Sequence, residues 1–188
     1  MIIIGITGTL GAGKGTIVEY LINKWGFLHF SVRDYLLEII DKEKLPQNRD
    51  SMVTVANSLR AKHSPSFITD ELYKSAKASN KNSIIESIRT PGEIYSLKEK
   101  GDFYLFAVDA SPKTRFDRIT IRNSVTDNIG YEQFIANEKR EMNSIDPNHQ
   151  NLQKCIQLAD FVFDNDGSLE NLHNQIEIVI KKINNLEF

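Results

Sequence analysis

A chain of 188 residues, 40% hydrophobic and 26% charged, has the size and composition of one domain with a substantial core. A formal net charge of −2 gives no global attraction for nucleic acid or an anionic membrane, so any phosphate recognition has to come from local clusters. The single cysteine, Cys155, excludes an intrachain disulfide framework and thiolate metal clusters, and the four histidines, His29, His63, His149 and His173, lack ligand spacing, so no protein-only metal site is expected.

The run Ile2-Ile3-Ile4-Gly5-Ile6 is apolar and mostly β-branched, as in a strand buried on both faces of a parallel sheet, and reads as the first and central strand. It lacks a basic leader and is too short for a signal h-region or a membrane span, so a cytoplasmic protein is expected. Next comes Gly8-Thr9-Leu10-Gly11-Ala12-Gly13-Lys14-Gly15-Thr16, a phosphate-binding loop (P-loop) in a strand-loop-helix setting. Its glycines let successive N–H groups converge on phosphate oxygens, the helix starting near Lys14 adds the positive end of its dipole, and Lys14 can reach the outer phosphates. Gly15 stands where Ser or Thr commonly follows the lysine. The hydroxyl that would face a metal ion comes one place later, at Thr16.

Ile17, Val18, Leu21, Ile22 and Trp25 recur at helical spacing up to Gly26, and Phe27-Leu28-His29-Phe30 reads as a second strand. Ser31-Val32-Arg33-Asp34 lies at its carboxyl end, where open α/β sheets bind ligands. Helices follow over residues 35–40, 53–59 and 67–73, separated by breaks at 45–50 and around Pro65 and running out at 79–82. Ser83-Ile84-Ile85-Glu86 is a short third strand ending in an acid, and Phe103-Tyr104-Leu105-Phe106-Ala107-Val108 is a fourth, closed by Asp109 and followed by a helix opening at Pro112. Phe161-Val162-Phe163 is the fifth strand, and Leu169, Leu172, Ile176, Val179, Ile180 and Ile183 mark the last amphipathic helix. Strands alternating with helices predict an α/β fold with a doubly wound, five-stranded parallel sheet and a helical insertion over residues 32–81.

Phosphoryl transfer asks for in-line positioning and charge neutralisation, so the signature beyond the loop is a set of cations. Arg33, Arg49, Arg60 and Arg89 form one candidate group, and Arg115, Arg118 and Arg122 follow the fourth strand along one helix face. Glu86 ends a strand, the usual place for the acid that orients magnesium through its water shell. Asp34 is placed to accept a proton from a substrate hydroxyl, and equally to cap a helix or pair with Arg33.

Gly8 to Thr16, ending Gly-Lys-Gly-Thr, resembles the loop of adenylate kinase and related nucleoside monophosphate kinases, and Ser31-Val32-Arg33-Asp34-Tyr35-Leu36 resembles the segment opening their monophosphate-binding region. Ile84-Ile85-Glu86-Ser87-Ile88-Arg89-Thr90-Pro91-Gly92-Glu93 is similar to a stretch of deoxynucleoside monophosphate kinases, as are Arg49, Leu59-Arg60 and Pro65-Ser66-Phe67. Val108-Asp109-Ala110 with Arg115, Arg118 and Arg122, and the stretch Ala159 to Ser168, look like the second half of dephospho-coenzyme A kinase, although no His-Pro pair is present and Glu86 replaces the usual aspartate.

The resemblance implies a P-loop kinase using ATP and Mg2+ on small nucleotide substrates, with no nucleic-acid partner; oligomeric state stays open. It implies that Gly8, Gly11, Ala12, Gly13, Lys14, Gly15 and Thr16 hold the donor phosphates, that Asn165 and Gly167 lie beside the adenine, and that Thr16 and Glu86 serve the metal through water. Residues 32–81 would bind the acceptor, with Arg33, Asp34, Arg49, Arg60 and Arg89 facing it, and a lid over 112–142 would bring Arg118 and Arg122 onto ATP. The implied reaction is γ-phosphoryl transfer to a nucleoside or deoxynucleoside monophosphate, the alternatives being a dephospho-coenzyme A kinase and a nucleotide-binding regulatory module.

Overall fold

The computed structural model describes residues 1–122 and 129–186; residues 123–128, within the expected lid, lie outside the described residues. Five strands, β1 (Ile3–Gly8), β2 (Leu28–Ser31), β3 (Ser83–Glu86), β4 (Phe103–Asp109) and β5 (Phe161–Asp164), form one sheet in the order β2-β3-β1-β4-β5. All four pairings are parallel, and β1 is central and buried along its whole length, as its apolar sequence dictates. The chain passes from β1 to the edge strand β2, returns to β3 beside β1, and then crosses to β4 and β5 on the other side, so the order switches at β1 and a crevice opens at the carboxyl ends there. The registers Ile6↔Glu86 and Gly8↔Val108 place Glu86 beside the entrance of the P-loop, and β4 continues to Asp109 on its other flank.

Side chains alternate across the sheet, so one apolar cluster forms on each face. Ile4 and Ile6 pack with Ile17 and Leu21 of α1 (Lys14–Trp25) and with Ile176 and Ile180 of α9 (Leu169–Leu186). Ile3, Ile85 and Leu105 pack on the opposite face against the helices inserted between β2 and β3, namely α2 (Val32–Lys42), α3 (Arg49–Lys62) and α4 (Phe67–Ser79). The breaks read in the sequence have local causes: Gly26 takes a left-handed φ of 68° and donates to the Ile22 carbonyl at 3.0 Å, and the Asn48 side chain accepts from the Ser51 N–H at 2.8 Å to start α3.

Four further helices complete the described chain: α5 (Pro91–Glu99), α6 (Pro112–Arg122), α7 (Tyr131–Met142) and α8 (Leu152–Gln157). Cys155 is buried in α8. Among the described residues no helix is long and apolar enough to cross a membrane.

Candidate active site

A cleft of about 510 Å³ opens at the carboxyl ends of β1 and β3, between the P-loop, α2, α3 and α6. Gly8, Gly11 and Gly13 carry positive φ values of 142°, 79° and 109°, so the loop follows a path that L side chains rarely adopt. Crowding adds to this at Gly13, where a Cβ would overlap the amide nitrogen of Asn165. That amide donates to the Ala12 carbonyl at 2.7 Å, and the Asn165 backbone N–H donates to Asp109 at 2.9 Å, so Asn165 braces the loop from β4 and β5. A Cβ at Gly167 would crowd the Asn171 side chain, and Gly167 lies outside the lining of the cleft. Around Gly15 a Cβ would meet nothing within 4 Å, and Thr16 lines the cleft half-buried.

Lys14 turns its ammonium back onto the loop, donating to the Gly8 and Thr9 carbonyls at 2.9 Å each. Burial, then the nearby Arg89 charge, pull its pKa down from 10.5 to about 7, partly offset by Glu86 and Glu141. Glu86 Oε2 accepts from His29 Nε2 at 3.1 Å; burial alone would raise its pKa, but the His29 hydrogen bond and the Lys14 charge hold it below the usual carboxylate range. Just after it, Ser87 takes a left-handed φ of 71°, and the Ser87 and Ile88 amides both donate to the Ile6 carbonyl at 3.0 Å. This kink ends β3 and turns Arg89 toward the cleft.

Arg49, at the first turn of α3, and Arg89 meet on one carboxylate. Glu141 Oε1 accepts from Arg49 Nε at 3.0 Å and Nη2 at 2.5 Å, while Oε2 accepts from Arg89 Nη1 at 2.9 Å. Gln150 Oε1 accepts from the same Arg89 nitrogen at 2.9 Å. Burial would raise the Glu141 pKa, but Arg89 and Arg49 hold it below the usual range, so the carboxylate is ionised at neutral pH.

Two expected acceptor residues have settings the sequence did not show. Arg60 lines the cleft while 1% exposed: its Nε and Nη2 pair with Glu93 Oε1 at 3.2 and 2.8 Å, and its buried Nη1 has no hydrogen-bond partner among the described residues. Asp34 is exposed and outside the cleft lining, its backbone N–H donating to Ser31 Oγ at 3.1 Å at the start of α2; Arg33, its neighbour, does line the cleft. On the donor side Arg118 and Arg122 line the cleft, and Arg118 Nη2 donates to the Asn165 carbonyl at 2.8 Å. Arg115, grouped with them by spacing, is 2% exposed and binds Glu138 and the Ala110 and Leu10 carbonyls instead.

Glu141, Gln150 and Glu138 were not foreseen from sequence. A signal existed for the first: Phe134, Asn137 and Glu141 recur at helical spacing on the buried face of α7, and a carboxylate on such a face needs a cationic partner.

A family model described as an AAA domain matches residues 4–146. A UPF0200 protein of Methanococcus maripaludis is 31% identical over 189 residues, covering 99% of this chain and 100% of its own, and one of Methanocaldococcus jannaschii is 30% identical, covering 100% and 93%. Among solved structures, a shikimate kinase from Bacteroides thetaiotaomicron superposes with a TM-score of 0.61 at 12% identity over 97% of this chain and 98% of its own. A gluconokinase from Sinorhizobium meliloti gives 0.60 at 14% identity over 100% and 96%. At such identities the likeness establishes the fold, which is that of the P-loop kinases. The length of the family match and the near-complete overlap with these relatives lead to one assignment: the chain belongs to the UPF0200 family and carries its AAA domain on a P-loop kinase fold.

Proposed function

We propose that the protein is an ATP- and Mg2+-dependent kinase that transfers the γ-phosphoryl group to the phosphate of a nucleoside or deoxynucleoside monophosphate. The observation that carries this reading is the presence, in one cleft, of the P-loop lysine and a separate pair of arginines, Arg49 and Arg89, each about a fifth exposed toward it. A single polyphosphate needs only the first group; two phosphate-bearing ligands need both. Resemblance to the adenylate kinase-like monophosphate kinases supports the same division.

The P-loop amides and Lys14 hold the donor phosphates, with Lys14 exchanging its two backbone carbonyls for phosphate oxygens. Arg89 and Arg49, with Arg33 at the mouth, hold the acceptor phosphate, while Arg118 and Arg122 cover the donor and offset charge developing during transfer. The Thr16 hydroxyl and the ionised Glu86 carboxylate are hard oxygen donors on the cleft wall and suit magnesium through water. When bound, the ion neutralises phosphate charge. A phosphate acceptor is already nucleophilic at neutral pH, so no general base is required, in keeping with Asp34 lying outside the cleft lining.

The test is a coupled assay with ATP and Mg2+ against a panel of nucleoside and deoxynucleoside monophosphates plus dephospho-coenzyme A. Transfer to a monophosphate is expected. Phosphorylation of dephospho-coenzyme A alone, or ATP binding without transfer to any acceptor, overturns the proposal.

A further inference from the structure

We propose that Glu141 is a positioning residue for the acceptor arginines, and that Glu141 and Glu138 together make α7 the strut that sets the spacing between donor loop and acceptor site. The inference rests on the kinase reading above and deepens it.

Glu138 and Glu141 stand three residues apart in α7 and so share a face of that helix. Glu138 accepts from both terminal nitrogens of Arg115, whose Nε donates to the Ala110 carbonyl at 2.7 Å and whose Nη1 also reaches the Leu10 carbonyl, inside the P-loop, at 3.4 Å. Glu141 accepts from Arg49 and Arg89. One short stretch of helix therefore grips the donor loop through one carboxylate and both acceptor arginines through the other. The helix is itself anchored, since Phe134 is 1% exposed, packs against Phe116 and lies under the Arg115 guanidinium at 5.4 Å. The chain after α7 adds two more holds on Arg89: the Gln150 side chain, and the Asn151 N–H, which donates to the Arg89 carbonyl at 2.9 Å.

The exposures assign Glu141 a supporting place rather than that of a stand-in for the acceptor phosphate. Its side chain is 4% exposed, against 19% for Arg49 and 21% for Arg89, so it lies behind the arginines. Two guanidinium groups side by side repel one another and would splay apart; a shared carboxylate offsets that repulsion and holds both rotamers before the ligand arrives. An incoming phosphate then meets an ordered pair and does not bear the entropy of arranging it.

The experiment uses the full chain and the monophosphate that the panel identifies as acceptor, with KM values for acceptor and ATP, kcat, acceptor binding by calorimetry, and melting temperature. Glu141→Gln is expected to raise acceptor KM and Kd by roughly tenfold or more while ATP KM stays within about twofold. Glu138→Gln, loosening the other end, is expected to raise ATP KM with acceptor KM unchanged. Should Glu141→Gln fold poorly, Gln150→Leu removes a single hold on Arg89 and is expected to raise acceptor KM alone by a smaller factor. A merely structural role would lower the melting temperature without splitting the two KM values. A fall in acceptor KM in Glu141→Gln would mean the carboxylate competes with the phosphate; that result, or unchanged constants, overturns the proposal. Absence of monophosphate binding and transfer in the unmodified protein would overturn the kinase reading and this inference together, whereas an active parent with unaffected variants would overturn only the inference.

Discussion

Replacing Glu93 with alanine is expected to be among the most damaging single changes in this chain. The residue is fully buried, and its carboxylate accepts four hydrogen bonds: Arg60 Nε and Nη2 on Oε1, and the Arg89 and Thr90 backbone amides on Oε2, the latter at 2.8 and 3.0 Å. Truncation leaves the Arg60 guanidinium buried and uncompensated, at a cost of about 3–5 kcal/mol. It also breaks the capping box with Thr90 that starts α5, worth about 1 kcal/mol. A loss of about 4–6 kcal/mol is a large part of the roughly 5–15 kcal/mol that typically holds a domain together. At about 2–4 °C per kcal/mol for a chain of this size, the melting temperature should fall by roughly 8–24 °C. Calorimetry and urea unfolding, with the slope checked for constancy, measure the effect. The double variant Arg60→Met, Glu93→Leu removes the stranded charge and should recover about half of the loss, the Arg89 and Thr90 amides still lacking their acceptor. A loss below about 1.5 kcal/mol in Glu93→Ala, or a double variant less stable than the single, would refute the assignment of Glu93 as counter-ion to a desolvated Arg60.

Lys14 yields a pH-dependent prediction. With its pKa drawn from 10.5 to about 7, the unfolded chain holds one more proton than the folded chain between those values, so the burial penalty is felt in full below pH 7 and relieved as pH rises toward 10.5. Binding of ATP restores the charge, so titration near pH 8 should show proton uptake as a dependence of binding heat on buffer ionisation enthalpy. Lys14→Met should abolish that uptake and lower kcat by orders of magnitude while the fold persists; equal heats in all buffers for the parent protein would count against the depressed pKa. Gly13→Ala should raise ATP KM strongly and lower the melting temperature, because the new methyl collides with the Asn165 amide in a left-handed backbone; unaltered ATP binding would show that the loop rearranges freely.

The sheet was legible in the sequence because its strands are short β-branched or aromatic runs bounded by glycine, proline or polar residues, and a parallel sheet covered on both faces demands apolar runs. Helices α5 and α7 were not read as helices: α5 carries only Ile94 and Leu97 as buried aliphatics, and α7 buries Asn137 and Glu141 beside Phe134, so each apolar stripe is thin. Arg60 was grouped with the acceptor cations without its partner Glu93, although it sits four residues beyond Ala56 on the buried side of α3, where a cation needs a carboxylate. Glu141 meets arginines that are 92 and 52 residues away in the chain, a juxtaposition that local patterning does not encode. Lys14 and the loop glycines were legible for the opposite reason, since their work is done within nine consecutive residues.

The centrality of β1 bears on the order in which this molecule assembles. The first strand has nothing to pair with until β3 and β4 have been made, 80 and 100 residues later, and the Asn165 brace on the loop closes a span of 153 residues. Each such closure costs chain entropy before any contact rewards it, so folding is dominated by distant pairings rather than by the local helices. The phosphate cradle, encoded at the start of the chain, therefore takes shape only when nearly the whole chain has found its place. A nascent or half-folded molecule keeps its Gly-Lys-Gly-Thr sequence but has no formed pocket with which to capture or squander a nucleoside triphosphate.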